Sequence, residues 1–322
     1  MKVLITGITG FAGSYLAEYI LEKDLSISIV GLTRKNSNMD NIAHIKNNLL
    51  LVECDIQNKI EITDLLAKIQ PDYIFHLAAQ SKVSISWDFP SLTLSDNILG
   101  ELNIFETVKQ NGLSSRILIA ASGEEYGRSL DDQSSLDENQ PFSPNSSYAV
   151  SKIGQDLLGF QYFANYGMHI IRTRAFNHSG PRRGDQFVES SFAKQLAEIS
   201  LHLKEPIVLV GNLSARRDFT DVRDVVRGYW LALEYGTPGE VYNICSGKTY
   251  SIKEILDKLI NIAGVNVTIK DDAARLRPVD SPVIFGNSTK FFNKTGWKPE
   301  ILLDKTLSDI YQYWKEQLTI KI

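Results

Sequence analysis

The feature that most restricts what this chain can fold into is the run GITGFAG at residues 7–13. It directly follows the apolar run KVLIT at residues 2–6 and heads an amphipathic stretch over residues 11–21. A glycine fingerprint acquires meaning from that context, between a strand and a helix. Gly7 permits the tight turn out of the strand, Gly10 lets backbone N–H groups approach a pyrophosphate, and Gly13 lets helix and strand pack closely. The dipole of the helix that begins near Phe11 and Ala12 favours an anion at the same spot. The loop predicts a dinucleotide site formed by Gly7, Gly10, Phe11, Ala12 and Gly13.

The rest of the first half repeats the pattern. Short β-branched runs at 2–6, 28–32, 49–53, 73–76, 116–120 and 169–174 alternate with segments of helical period at 11–21, 60–69, 92–108 and 148–166. This rhythm predicts an α/β fold, a doubly wound parallel sheet of the Rossmann type. After residue 176 the strands are isolated (207–210, 241–244, 267–269) and the helices (252–262, 303–317) follow longer polar stretches. These predict a smaller, interleaved mixed α/β domain for substrate. Residues 1–175 and 213–240 are assigned to the dinucleotide domain, and 176–212 and 241–322 to the second. A ligand belongs in the cleft beyond the carboxyl ends of the parallel strands.

Charge and cysteine usage narrow the function classes. With 34 Lys plus Arg against 38 Asp plus Glu, the net charge of -4 argues against holding a nucleic-acid backbone or an anionic bilayer. No apolar run approaches the roughly 18 residues of a membrane span, and the opening MKVLITGITGFAG meets glycine too early for a signal peptide. The expectation is a cytoplasmic protein with small-molecule partners. Cys54 and Cys245 are too few for a disulfide framework or a four-ligand zinc site, so both read as core residues and no metal site is predicted.

A free ribose 2′-hydroxyl is usually met by an acid about 20 residues beyond the glycine loop. Here the second strand ends instead in Thr33, Arg34 and Lys35, which suit a 2′-phosphate and point to NADP(H), with NAD(H) as the alternative. Solvated surface charge is the other reading of Arg34 and Lys35. Tyr148 and Lys152 stand four apart at the start of a helix and project from one face. A neighbouring ammonium favours the phenolate, so the spacing predicts a lowered tyrosine pKa and proton exchange with a carbonyl or alcohol oxygen. The lysine is also placed to hydrogen-bond a nicotinamide ribose.

Together, GITGFAG, Asp55–Ile56, HLAAQS (76–81), ASGEEYG (121–127), YAVSK (148–152) and RDFTDVRDVVRG (217–228) resemble the extended short-chain dehydrogenase/reductases that act on nucleotide-diphosphate sugars. FNHSGPRRGDQFV (176–188), GNLSARRDF (211–219) and RLRPVD (275–280) are similar to the branch containing GDP-mannose 4,6-dehydratases and the reductases of their 4-keto product. The resemblance implies that Asp55 and Ile56 hold adenine, that Ala78, Ala79 and Gln80 line the cofactor, and that His178 and Arg183 contact it. It implies a catalytic trio of Ser122, Tyr148 and Lys152, Ser122 bonding the sugar C4 oxygen. Gly123, Glu124, Asn177, Arg217, Arg277 and Asp280 fall on the sugar-nucleotide side, with Lys194 and Arg216 as further phosphate or base contacts. A homodimer pairing residues 92–108 and 148–166 is implied as well.

The same resemblance separates three reactions. Dehydratases need extra acid and base groups, carried in a TSE or TDE triplet; here the triplet is Ser122-Gly123-Glu124, its middle position bare. Glu124 sits where the dehydratase base sits, and its role stays open between that base and a carboxylate held structurally. Epimerising reductases use a Cys and a His, and neither Cys54 nor Cys245 falls in the corresponding loop. Reduction of GDP-4-keto-6-deoxy-D-mannose to GDP-D-rhamnose is therefore expected. GDP-mannose dehydration is the alternative, with another nucleotide-sugar epimerase or reductase, or a scaffold without turnover, further off.

Overall fold

Val3 and Ile5 pack under one layer of helices and Leu4 under the other, so the first strand is apolar on both faces and reads as an unbroken run, as parallel strands do. The computed structural model describes residues 1–127, 134–276 and 281–320. Its main sheet has seven strands: β1 (Lys2–Thr6), β2 (Ser28–Thr33), β3 (Leu49–Glu53), β4 (Tyr73–His76), β5 (Arg116–Ser122), β6 (Ile170–Ala175) and β10 (Val241–Ile244). They pair in parallel in the order β10-β6-β5-β4-β1-β2-β3. Helices α1 (Phe11–Lys23) and α8 (Val222–Tyr235) cover one face, and α2 (Lys59–Ile69), α5 (Gly100–Gln110) and α6 (Ser147–Tyr166) the other. The chain progresses outward in opposite directions from β1 and β4, so a crevice opens at the carboxyl ends of that pair.

Beyond that crevice lies the second sheet. Strand β9 (Arg216–Asp221) pairs in parallel with β7 (Asn177–Ser179) and β13 (Val283–Ile284) and antiparallel with β11 (Thr249–Ser251). Strand β8 (Ile207–Val210) pairs with β12 (Thr268–Asp271). Helices α7 (Val188–Ser200), α9 (Ile252–Ala263) and α11 (Leu303–Thr319) close a separate core over Phe192, Leu196, Leu256 and Ile310. The short helices α3 (Val83–Asp88), α4 (Pro90–Leu94) and α10 (Thr289–Thr295) complete the elements used below. Among the described residues no helix is long and apolar enough to cross a membrane.

The doubly wound sheet is as expected, and three local readings change. Residues 241–244, assigned to the second unit, add to the edge of the main sheet beside β6. Their fully buried pattern marks a parallel strand, but a four-residue run does not say which sheet it joins. Conversely, residues 216–221, assigned to the dinucleotide unit, are the centre of the second sheet, and only α8 returns to the main one. The expected helix over 92–108 forms but is widened by a π-helical turn, Ser95–Leu99, between α4 and α5. In that turn the buried Asn97 bonds the Gln80 backbone (2.7 and 3.2 Å) and the Ser151 hydroxyl (2.8 Å), tying the loop after β4 to α6.

Candidate active site

The glycine loop performs the steric tasks its sequence assigns. Gly7 has φ +71, and a Cβ there would lie 2.9 Å from the Ala78 nitrogen; a Cβ on Gly13 would lie 2.2 Å from the Gly7 carbonyl oxygen. Helix α1 starts with no side-chain cap and no acid in its first turn, so its leading N–H groups and dipole are left for an anion. A cavity of about 340 Å³ opens there, and of the residues expected to hold the cofactor Gly7, Gly10, Phe11, Ala12, Gly13, Arg34, Asp55, Ile56, Ala78, Ala79, Gln80, Tyr148, Lys152, His178 and Arg183 line it. Ser37, whose hydroxyl accepts the Arg34 N–H at 2.9 Å, lines it too, whereas Lys35 is not among its lining residues. Uncapped helix donors at one end and a Tyr–Lys pair at the other fit a nicotinamide dinucleotide.

Ser122 ends β5 and caps the turn after it, its hydroxyl accepting the Glu124 N–H at 3.2 Å while its own N–H donates to Glu125 Oε1 at 2.8 Å. The three residues expected to act on the substrate are neighbours: Ser122 interacts with the Tyr148 phenol, and Lys152 Nζ lies 5.9 Å from the Tyr148 ring centre. The electrostatics differ from the expectation of a lowered phenol pKa. Burial pushes Tyr148 up to about 12, the Ser122 hydrogen bond opposing it and the Glu124 and Glu125 carboxylates adding to it. Lys152 does not offset this, because its Nζ donates to Ala120 O at 2.7 Å and Gln155 Oε1 at 2.8 Å and lies 5.9 Å from the Tyr148 ring centre. The phenol keeps its proton at neutral pH and is a donor rather than a phenolate.

A second cavity of about 630 Å³ adjoins the first, sharing Arg183 and Phe187 with it. Of the residues expected on the sugar-nucleotide side, Glu124, Asn177 and Arg217 line it. The Arg183 guanidinium lies 3.5 Å from the Phe187 ring centre, its buried Nε makes no hydrogen bond and is 3.7 Å from Glu189 Oε1, and the residue lines both cavities, where a guanidinium suits a diphosphate. Lys194 and Arg216 do not line it. Lys194 pairs with Asp185 at 2.6 Å, and Arg216 turns to Glu254 at 3.2 Å and to Thr249. Successive residues of a strand face opposite sides, so β9 can aim only Arg217 inward. Arg277 and Asp280 lie outside the described residues. In their place Arg275 lines the cavity, bonding Ser191 at 2.9 Å; it belongs to the same RLRP run and was legible there. Buried Glu125, which fixes the Ser122 N–H, and Tyr229, in the cofactor cavity, were not foreseen, since nothing local marks either.

Residues 4–310 match the family described as GDP-mannose 4,6 dehydratase. The GDP-6-deoxy-D-mannose reductase of Pseudomonas aeruginosa is 32% identical over 317 residues, which cover 98% of this chain and 98% of that protein. The GDP-mannose 4,6-dehydratase of Yersinia enterocolitica is 31% identical over 349 residues, 96% of this chain and 92% of that protein. Among solved structures, RMD from Pseudomonas aeruginosa complexed with NADPH superposes with a TM-score of 0.87 at 30% identity, over 98% of this chain and 99% of that one.

Proposed function

The chain belongs to the GDP-mannose 4,6-dehydratase family, and we propose that within it the protein is a reductase, converting the C4 ketone of GDP-4-keto-6-deoxy-D-mannose to the alcohol of GDP-D-rhamnose. The observation that carries this reading is the space around Gly123. A Cβ there would come within 3.0 to 3.1 Å of three Phe176 ring carbons, and Phe176 is itself buried beside Tyr126. Gly123 therefore supplies no second acid or base between Ser122 and Glu124, and a side chain there would have to push the buried Phe176 ring back by a few tenths of an ångström. Inversion at C3 or C5 also lacks a thiol, because neither Cys54 nor Cys245 lines the second cavity.

In this reading Ser122 and Tyr148 hold the C4 oxygen, and Tyr148, kept protonated by burial, gives it the proton. Bound NADPH supplies the hydride. Lys152 orients the nicotinamide ribose, Arg34 and Ser37 face the 2′-phosphate, and Arg183, Arg217 and Arg275 face the diphosphates. Exposed Leu92 and Leu99 before α5 and Val150, Leu157 and Phe160 on α6 support a homodimer through these helices, which a hydrodynamic mass of one chain would exclude. One observation favours dehydration instead: Glu124 lines the second cavity and acts electrostatically on Tyr148.

Stoichiometry decides between the two. Offered GDP-4-keto-6-deoxy-D-mannose, the protein should consume one NADPH per sugar reduced, with no C5 deuterium from heavy water, and Glu124→Gln should retain most of that activity. In the same assay Arg34→Ala should raise KM for NADPH far more than for NADH. Turnover of GDP-mannose with C5 labelling and no net cofactor use would replace the reductase by a dehydratase, and no turnover of either sugar would leave a nucleotide-binding scaffold.

A further inference from the structure

Below Lys152 lies a polar cluster that the reaction as described does not use. Glu101 on α5 is completely buried. Its Oε2 accepts a 2.8 Å hydrogen bond from Gln155 Nε2, and its Oε1 has no partner. Gln155 Oε1 in turn accepts from Lys152 Nζ at 2.8 Å. His76, at the end of β4, faces the same carboxyl. The Thr6 hydroxyl oxygen accepts the Leu77 and Ala78 N–H groups at 3.1 and 3.0 Å and lies 2.9 Å from His76 Nδ1. On the other side of the ring His76 Nε2 lies 3.3 Å from Gln155 Nε2 and 4.0 Å from Glu101 Oε2. A carboxyl buried with a single hydrogen bond is costly unless a charge beside it gains from its presence.

We infer that Glu101 is a positioning residue: by accepting from Gln155 it fixes which end of that amide meets Lys152, and its carboxylate is the buried counter-charge that keeps the Lys152 amine protonated. Without the carboxylate the amide is free to rotate and offer its NH₂ to the ammonium, a donor against a donor. This rests on the reductase reading only in taking Lys152 to serve the reaction.

The surroundings leave few other charges to perform this role. The amine faces Glu101 from α5, Glu125 from the turn after β5, neutral His76 from β4 and Tyr148 on its own helix. Asp156 on α6 is engaged by Arg172 and Arg174 of β6, and Glu125 also meets Arg174 at 3.2 Å. Helix α4 carries no ionisable group; Asp88 of α3 faces the second cavity, and Asp96 of the π turn bonds Gln57. Burial pushes Lys152 down to about 8 and Glu101 well above the usual carboxylate range, each charge opposing the other's shift, with Glu125 also raising Lys152. Removing the Glu101 charge disfavours the ammonium, which then loses its proton at lower pH.

Glu101→Gln keeps the size and an acceptor for Gln155 while deleting the charge. In cofactor-free protein carrying ¹³C-labelled lysine, the Lys152 Cε resonance, identified by its loss in Lys152→Met, reports the titration directly. The midpoint should fall by about one pH unit or more in Glu101→Gln, with the melting temperature unchanged, and Glu101→Asp should restore most of it. The alkaline limb of kcat/KM should move by the same amount. A midpoint identical to wild type in Glu101→Gln would overturn the assignment. Absence of turnover in the wild type would instead overturn the reductase reading and leave the NMR result to decide Glu101 by itself.

Discussion

Tyr148→Phe should lower turnover by at least about 10²-fold while leaving NADPH affinity within about twofold of wild type. The phenol is pushed up to about 12 by burial, so near neutrality it is fully protonated, and the substitution deletes a proton donor while keeping the ring that lines the cofactor cavity. Ser122 remains, held by its bonds to Glu124 and Glu125, and can still position the oxygen but has no comparable base or acid behind it. Single-turnover oxidation of bound NADPH, followed by fluorescence, separates the two effects: the binding amplitude should persist and the rate collapse. A rate within threefold of wild type would remove Tyr148 from the proton transfer.

Gly13→Ala should be nearly as damaging by a different route. The added methyl would lie 2.2 Å from the Gly7 carbonyl oxygen and 2.9 Å from Ile8 Cα, both backbone atoms of the loop itself. Neither can swing away as a side chain would, so α1 must move off β1. Overpacking of this kind costs about 1–3 kcal/mol or more, and it displaces the helix N-terminus on which an anion would rest. NADPH affinity should fall by at least about 10²-fold with a lower melting temperature. Wild-type affinity by fluorescence titration would show that the close approach of loop and helix is not required for binding.

The cofactor side of the molecule was legible because its determinants are local. The glycine loop and the ends of β2, β3 and β4 lie within a few residues of a strand end, and a parallel sheet delivers all such ends to one edge; the Tyr148–Lys152 spacing is set within the first two turns of α6. The substrate side was legible only in part. Arg217 was identified, but so was Arg216, because the motif RRDF does not reveal where β9 begins and hence which arginine faces inward. Lys194 was read as a ligand although Asp185 pairs with it, a contact made by loop geometry.

The sequence by itself determined the fold class, the glycine loop and the residues that gather around a dinucleotide, since hydrophobic period, strand-end position and glycine sterics act over a few residues. Tertiary structure alone decided the rest. It added residues 241–244 to the main sheet, widened the helix at Ser95–Leu99 and turned Arg216 away from the cavity. It also reversed the expected shift of Tyr148 and placed Glu101, 51 positions before Lys152 in the chain, beneath that lysine. Burial and the identity of non-local neighbours set those outcomes, and both exist only once the two layers of helices have closed over the sheet.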